Sequence, residues 1–204
     1  IMKKIFSSFL VVAMMLAAMG MVSNSANAAT ADDTINVNMD VLSTITMACT
    51  DTVTMGAITG TGTSALGTNL ATCNVKTNNT AGYKLDWETG TVSMTNATAD
   101  TIAGLAAGTT AVPATWAVDA AASGWGARLS TASTDDDAKW SGADDYTGAW
   151  AAVPAAAETV VSRATETAQA GSDEIIVFGA EVGSNKWQPT GTYSTSVTMT
   201  ATTL

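Results

Sequence analysis

Along most of this chain apolar and polar residues alternate one for one, the period of an extended strand with one face buried and the other in water. Ile35, Val37, Met39 and Val41 alternate with Asn36, Asn38 and Asp40, and Ile45, Met47 and Cys49 repeat the pattern. Val53 and Met55 then lead into a glycine-rich stretch over residues 56–67, which predicts turns or a flexible loop. Cys73, Val75 and Thr77 alternate up to an Asn78-Asn79-Thr80-Ala81-Gly82 turn, after which Tyr83, Leu85 and Trp87 continue toward Gly90. In the second half, Trp116 with Val118, Trp125 with Leu129, the apolar run over 175–178, and Tyr193, Val197 and Met199 mark further strands. Helical signals are weak. Residues 151–169 are rich in alanine, but Pro154 interrupts them and Thr159, Val160, Val161 and Thr165 are β-branched, so a loop followed by a strand near Thr159 to Arg163 is predicted. About eight to ten short strands with no intervening helix predict an all-β, Ig-like antiparallel β-sandwich, with a closed barrel as the alternative.

The N-terminus breaks the alternation. Lys3 and Lys4 precede an almost wholly apolar run over residues 5–21, and Ala26-Asn27-Ala28 supplies a small-x-small cleavage site. This predicts a cleaved signal peptide over 1–28 and an exported protein whose mature chain starts at Ala29. An apolar run of about 17 residues is also the lower limit for spanning a bilayer, but small residues and the cleavage motif follow it at once. The remaining residues, 29–204, suit one sandwich domain, of which 29–42 form a possible donor strand. Lys3 and Lys4 leave with the leader, which takes the net charge from −10 to −12. The basic residues that stay, Lys76, Lys84, Arg128, Lys139, Arg163 and Lys186, are scattered, so neither nucleic acid nor an anionic membrane meets a basic cluster. No membrane insertion is expected after signal cleavage. The expected location is the periplasm, the cell surface or the extracellular space.

Cys49 and Cys73 are the only cysteines, and an even count in an exported chain predicts one disulfide. Histidine is absent and no C-x-x-C spacing occurs, so zinc and thioredoxin-like chemistry lack their ligands, and no cofactor or metal is expected. Asp135, Asp136, Asp137, Asp144 and Asp145 offer hard oxygen ligands, but Lys139 and Trp140 stand where a calcium loop needs a ligand and its turn glycine. That stretch reads as a solvated surface loop. Without histidine there is no Ser-His-Asp arrangement, and the serines sit in no G-x-S-x-G elbow. Asp86 and Glu88 share the strand face opposite Leu85 and Trp87, which reads as the solvent face. The chain does not read as an enzyme. Among its tryptophans, Trp87, Trp116 and Trp125 sit in alternating patterns and are expected in the core. Trp140, Trp150 and Trp187 lie in loop-like surroundings and are the candidate ligand-facing aromatics, since an exposed indole can stack on a sugar ring.

The order of a cleaved leader, an alternating segment over 35–41, Cys49, Val53-Thr54-Met55-Gly56, Cys73-Asn74-Val75-Lys76-Thr77, Gly82-Tyr83-Lys84-Leu85 and a closing stretch over 189–200 resembles the spore coat protein U and archaic chaperone–usher pilin group. Met55-Gly56 stands where that group usually has an aromatic-glycine pair, and residues 91–171 match no feature of it. The resemblance implies an incomplete sandwich completed by a strand from a neighbour. Ile35, Val37, Met39 and Val41 would be the pocket-filling side chains of that donor strand; the alternative is that they form the first strand of their own domain. It also implies copies of the chain or related subunits as partners, with a periplasmic chaperone that contacts the C-terminal strand, and an usher. The expected function is an exported structural subunit of a cell-surface or fimbria-like assembly. The alternative is a monomeric secreted binding module, carbohydrate-binding or adhesin-like.

Overall fold

The computed structural model describes residues 36–135 and 138–204. The chain divides after Val41. Of the first unit, residues 36–41 are described: they form no strand, and Val37, Met39 and Val41 are exposed. The expected leader over 1–28, its expected cleavage site and Ile35 lie outside the described residues. The first strand of the second unit is therefore not the 35–41 segment but the next alternating one.

The second unit, Leu42–Leu204, is all-β. Its strands are β1 (Ile45–Cys49), β2 (Thr63–Leu66), β3 (Ala71–Thr77), β4 (Tyr83–Thr89), β5 (Met94–Thr95), β6 (Thr101–Gly104), β7 (Ala114–Thr115), β8 (Ser123–Leu129), β9 (Ala149–Trp150), β10 (Glu158–Arg163), β11 (Ser172–Val182) and β12 (Val197–Thr203). A seven-stranded sheet runs β1-β3-β11-β8-β6-β5, with β2 also on β11, and a three-stranded sheet runs β10-β4-β12. The pairings are antiparallel except β6 with β8. The count exceeds the sequence expectation because β5, β7 and β9 are two residues long, too short to show a period. The glycine-rich 56–67 stretch also holds a strand, β2, which pairs with residues 179–182 of β11. Trp116 and Val118 lie just beyond β7 rather than in a strand.

The two sheets share one core. Val75, Trp125, Leu129 and Ile176 of the larger sheet meet Tyr83, Leu85, Trp87, Val160 and Val161 of the smaller one, all buried. Alternation in β4 explains the packing: Tyr83, Leu85 and Trp87 project inward at successive odd positions. A second apolar cluster of Leu105, Trp116, Trp150 and Val177 also forms, with Leu66, Val118 and Tyr146 packed against it. Gly124 and Gly126 of β8 and Gly179 of β11 make room for it. An added Cβ would stand 3.0 Å from Val118 Cγ2, 3.3 Å from Leu105 Cβ and 3.1 Å from the Trp150 ring, respectively. The residue 91–171 stretch, for which the sequence offered no likeness, supplies most of this layer.

Candidate functional site

Among the described residues, β1 ends the larger sheet and pairs only with β3, and β12 ends the smaller one and pairs only with β4. The two edges lie side by side, and between them runs an open groove of about 220 Å³ lined by Ile45, Thr46, Met47, Met199, Thr200 and Ala201. Their alternation turns Ile45 and Met47, and Val197, Met199 and Ala201, toward the main core, where all stay only partly buried. Thr46, Thr198, Thr200 and Thr202 face solvent. Each edge strand leaves one row of backbone donors and acceptors outside its ladder.

The opposite ends of the two sheets carry partners. At β10, Lys139 Nζ donates to Thr159 O and Trp140 Nε1 to Val160 O, both at 3.1 Å. At β5, Thr95 and Ser194 exchange backbone hydrogen bonds at 3.0 Å. The groove is thus the side on which both sheets are left open among the described residues. Its β1 wall is held at both ends. Cys49 and Cys73, opposite each other in the β1–β3 register, form a disulfide, so the cysteine pairing expected from sequence is present. At the other end, Asn78 Oδ1 accepts from Thr44 N at 2.7 Å and Asn78 Nδ2 donates to Leu42 O at 3.0 Å.

The aromatic platform expected from sequence does not form. Trp140 is 1 % exposed, lies edge-on to Trp87 at 5.6 Å and donates to Val160. Trp150 is fully buried, stacks on Tyr146 and donates from Nε1 to Asp145 O at 2.8 Å. Trp140 is covered although its neighbours Lys139 and Ser141 reach water, whereas Trp150 is buried together with the flanking Ala149 and Ala151. Trp187 alone of the three is exposed, at 87 %. Trp87, Trp116 and Trp125 are buried, as their alternation indicated.

The loop that folds these rings inward is organised by Arg128 of β8, which is fully buried. Its Nη2 donates to Trp140 O at 2.8 Å and Gly142 O at 3.0 Å, its Nη1 donates to Ala143 O, and its Nε lies 3.3 Å from Asp144 Oδ1. Gly148 is required beside it, since a Cβ there would overlap the guanidinium.

Reading the acidic stretch as plain surface needs correction at Asp135 and Asp144. Asp135 binds Arg163 and Ser172, and Asp144 accepts from Ser130 Oγ and from Thr131 N at 3.1 Å. Asp136 and Asp137 lie outside the described residues. Among the described residues no three His, Cys, Asp or Glu side chains converge as a metal site. Asp86 is not on a solvent face either. It is buried, with Lys84 Nζ at 2.8 Å and Thr159 Oγ1 at 2.6 Å, and it ties β4 to β10. Burial works against its ionisation, but the hydrogen bonds from Lys84 and Thr159 outweigh it and hold the carboxyl below the usual carboxylate range.

Of the residues that line the groove, Ile45, Met47 and Met199 were visible in sequence as the apolar half of an alternating strand. What alternation does not carry is which strands end a sheet, because that depends on pairing between residues far apart in the chain. No family model, curated protein or solved structure matches this chain.

Proposed function

We propose that this protein is an exported structural subunit of a cell-surface or fimbria-like assembly, with an Ig-like sandwich joined to its neighbours by donor-strand complementation. The observation that carries this reading is the open groove between β1 and β12, lined by Ile45, Met47, Met199 and Ala201. An extended segment laid between two sheet edges satisfies their free backbone groups and places alternate side chains in the gap. The chain carries such a segment: Val37, Met39 and Val41 are apolar, spaced by two and exposed. Burying each in a neighbour's groove contributes about 1.5 to 3 kcal/mol. The resemblance to spore coat protein U and the archaic chaperone–usher pilins supports the same reading. It adds a periplasmic chaperone that would cover β12 before assembly, and an usher.

The test is the oligomeric state of protein made in an oxidising compartment, with and without residues 29–42. A ladder of multimers that resists SDS and collapses to monomer on deletion is the expected result. A monomer that holds the segment and is destabilised by its loss would assign residues 35–41 to their own sheet and refute strand exchange.

A further inference from the structure

At the end of the sandwich where β4, β10 and β11 meet, a set of titratable groups is enclosed that strand exchange does not use. Glu174 of β11 is fully buried; its Oε1 lies 2.7 Å from Tyr83 Oη of β4 and 3.2 Å from Ser172 Oγ, and its Oε2 has no hydrogen-bond partner. Tyr83 Oη is also 3.1 Å from Asp135 Oδ2. That carboxylate accepts from Ser172 Oγ at 2.8 Å, and Arg163 Nη1 of β10 donates to its two oxygens at 2.8 and 3.1 Å. Tyr83, Ser172, Asp135 and Arg163 are the polar and charged groups gathered around Glu174 among the described residues, and β3 places the disulfide-bonded Cys73 opposite it.

The number of hydrogens decides how this cluster can be satisfied. Tyr83 has one hydroxyl hydrogen and two acidic neighbours. With both acids ionised it can serve only one of them, and two negative charges share the single Arg163 guanidinium. With one proton on Glu174 the chain closes: Glu174 donates to Tyr83 Oη, Tyr83 donates to Asp135, and Ser172 and Arg163 complete Asp135. Every donor then has an acceptor and the cluster is neutral, which lowers the cost of burying it even though Glu174 Oε2 still accepts no hydrogen bond.

We propose that Glu174, Tyr83 and Asp135 form a one-proton latch between the two sheets, closed while Glu174 is protonated and loosened when a rising external pH removes that proton. Burial, reinforced by the Asp135 carboxylate, pushes Glu174 up to about 7. Asp135 is also disfavoured by burial, but hydrogen bonds from Ser172 and Arg163 outweigh this and keep it below the usual carboxylate range. Glu174 binds its proton more tightly in the folded protein than in the unfolded chain. Its stabilisation is therefore complete below the ordinary glutamate value and is lost as pH rises through about 7. Asp135 acts in the opposite sense, and its stabilisation is lost as pH falls through its lowered value. The latch therefore holds best in mild acid. It acts on the packing of β4 and β10 against β11, independently of whether the groove takes up a strand.

The test is an infrared titration of the oxidised wild-type protein, following the carbonyl stretch of a buried carboxylic acid, together with hydrogen exchange in peptides that contain Tyr83 and Glu174. The acid band is expected at about pH 5 and is lost with a midpoint near pH 7. Corrected for intrinsic exchange, the opening constant rises by up to about tenfold per pH unit across that interval. Glu174→Gln lacks the band and opens with no such slope. A wild-type protein without the band at about pH 5, or a Glu174→Gln protein that keeps the wild-type slope, overturns the proposal. Because the band is read on the wild-type chain, a variant that fails to fold leaves the first of these outcomes decisive.

Discussion

Replacing Arg128 by methionine keeps most of the packing volume of a fully buried side chain and deletes its guanidinium. Two kinds of interaction are lost, and their magnitudes differ. The first is the ion pair with Asp144 at 3.3 Å, whose carboxylate side chain is 30 % exposed and therefore screened by water, so it contributes about 0 to 1 kcal/mol. The second is the set of hydrogen bonds to loop carbonyls. Trp140 O belongs to a buried residue and is stranded when the guanidinium goes, at about 1 to 3 kcal/mol. Gly142 and Ala143 are exposed residues whose carbonyls recover water, so each bond lost there costs about 0.5 to 1.5 kcal/mol. Together these give a loss of about 2 to 7 kcal/mol, a span that brackets the roughly 3 to 5 kcal/mol for removing one member of a buried ionic contact. Asp144→Asn keeps one acceptor oxygen, enough for Thr131 N but not also for Ser130 Oγ, and costs no more than about 1.5 kcal/mol. Urea unfolding followed by tryptophan fluorescence measures both, because the loop held by Arg128 carries Trp140 into the core. A loss below about 1 kcal/mol for Arg128→Met, or equal losses for the two variants, would refute the view that carbonyl capture rather than charge pairing holds this loop.

Replacing both Cys49 and Cys73 by alanine opens a crosslink between residues 24 apart, and the chain-entropy model gives a loss of about 3.5 kcal/mol, read from the shift in urea midpoint. Trp140→Ala, in the core, costs about 3 to 5 kcal/mol, whereas Trp187→Ala, at 87 % exposure, changes stability by no more than about 0.5 kcal/mol; parallel thermal unfolding separates the two. Unfolding free energy is roughly 2 to 3 kcal/mol lower near pH 8 than near pH 5, because the proton of Glu174 is lost through about 7, and Glu174→Gln removes that part of the pH dependence.

Much of the fold was legible where a strand has one wet face and one dry one. β1, β3, β4 and β12 alternate in sequence and are strands in the structure, and β10 forms where β-branched residues follow Pro154. β2 was hidden because four residues between glycines leave no period to read. β8 is buried along its whole length, so its outward-pointing Gly124, Gly126 and Arg128 gave no sign of the layer that covers them. Trp140 and Trp150 were misplaced because the polarity of neighbouring residues describes local sequence and not the path by which a loop returns to the core. Glu174 did carry a signal. It stands two residues before Ile176, on the same strand face, which set an acidic residue at an inward position. The alternation that marked residues 35–41 says only that the segment suits a strand, and pairing belongs to whichever edge is free to accept it.

The smaller sheet is assembled from residues far apart in the chain: Tyr83 pairs with Arg163 on one side and with Thr203 on the other. Such non-local pairing closes slowly, since the entropy of a long loop must be lost before its contacts form. β12 follows both other strands of its sheet, β4 and β10, in the chain and is one wall of the groove. Until β12 docks, β4 keeps one unfilled edge, and an unpaired strand edge exposes a folding chain to aggregation. The groove between β1 and β12 therefore exists only once β12 has paired with β4, so closure of the smaller sheet is a precondition for that surface.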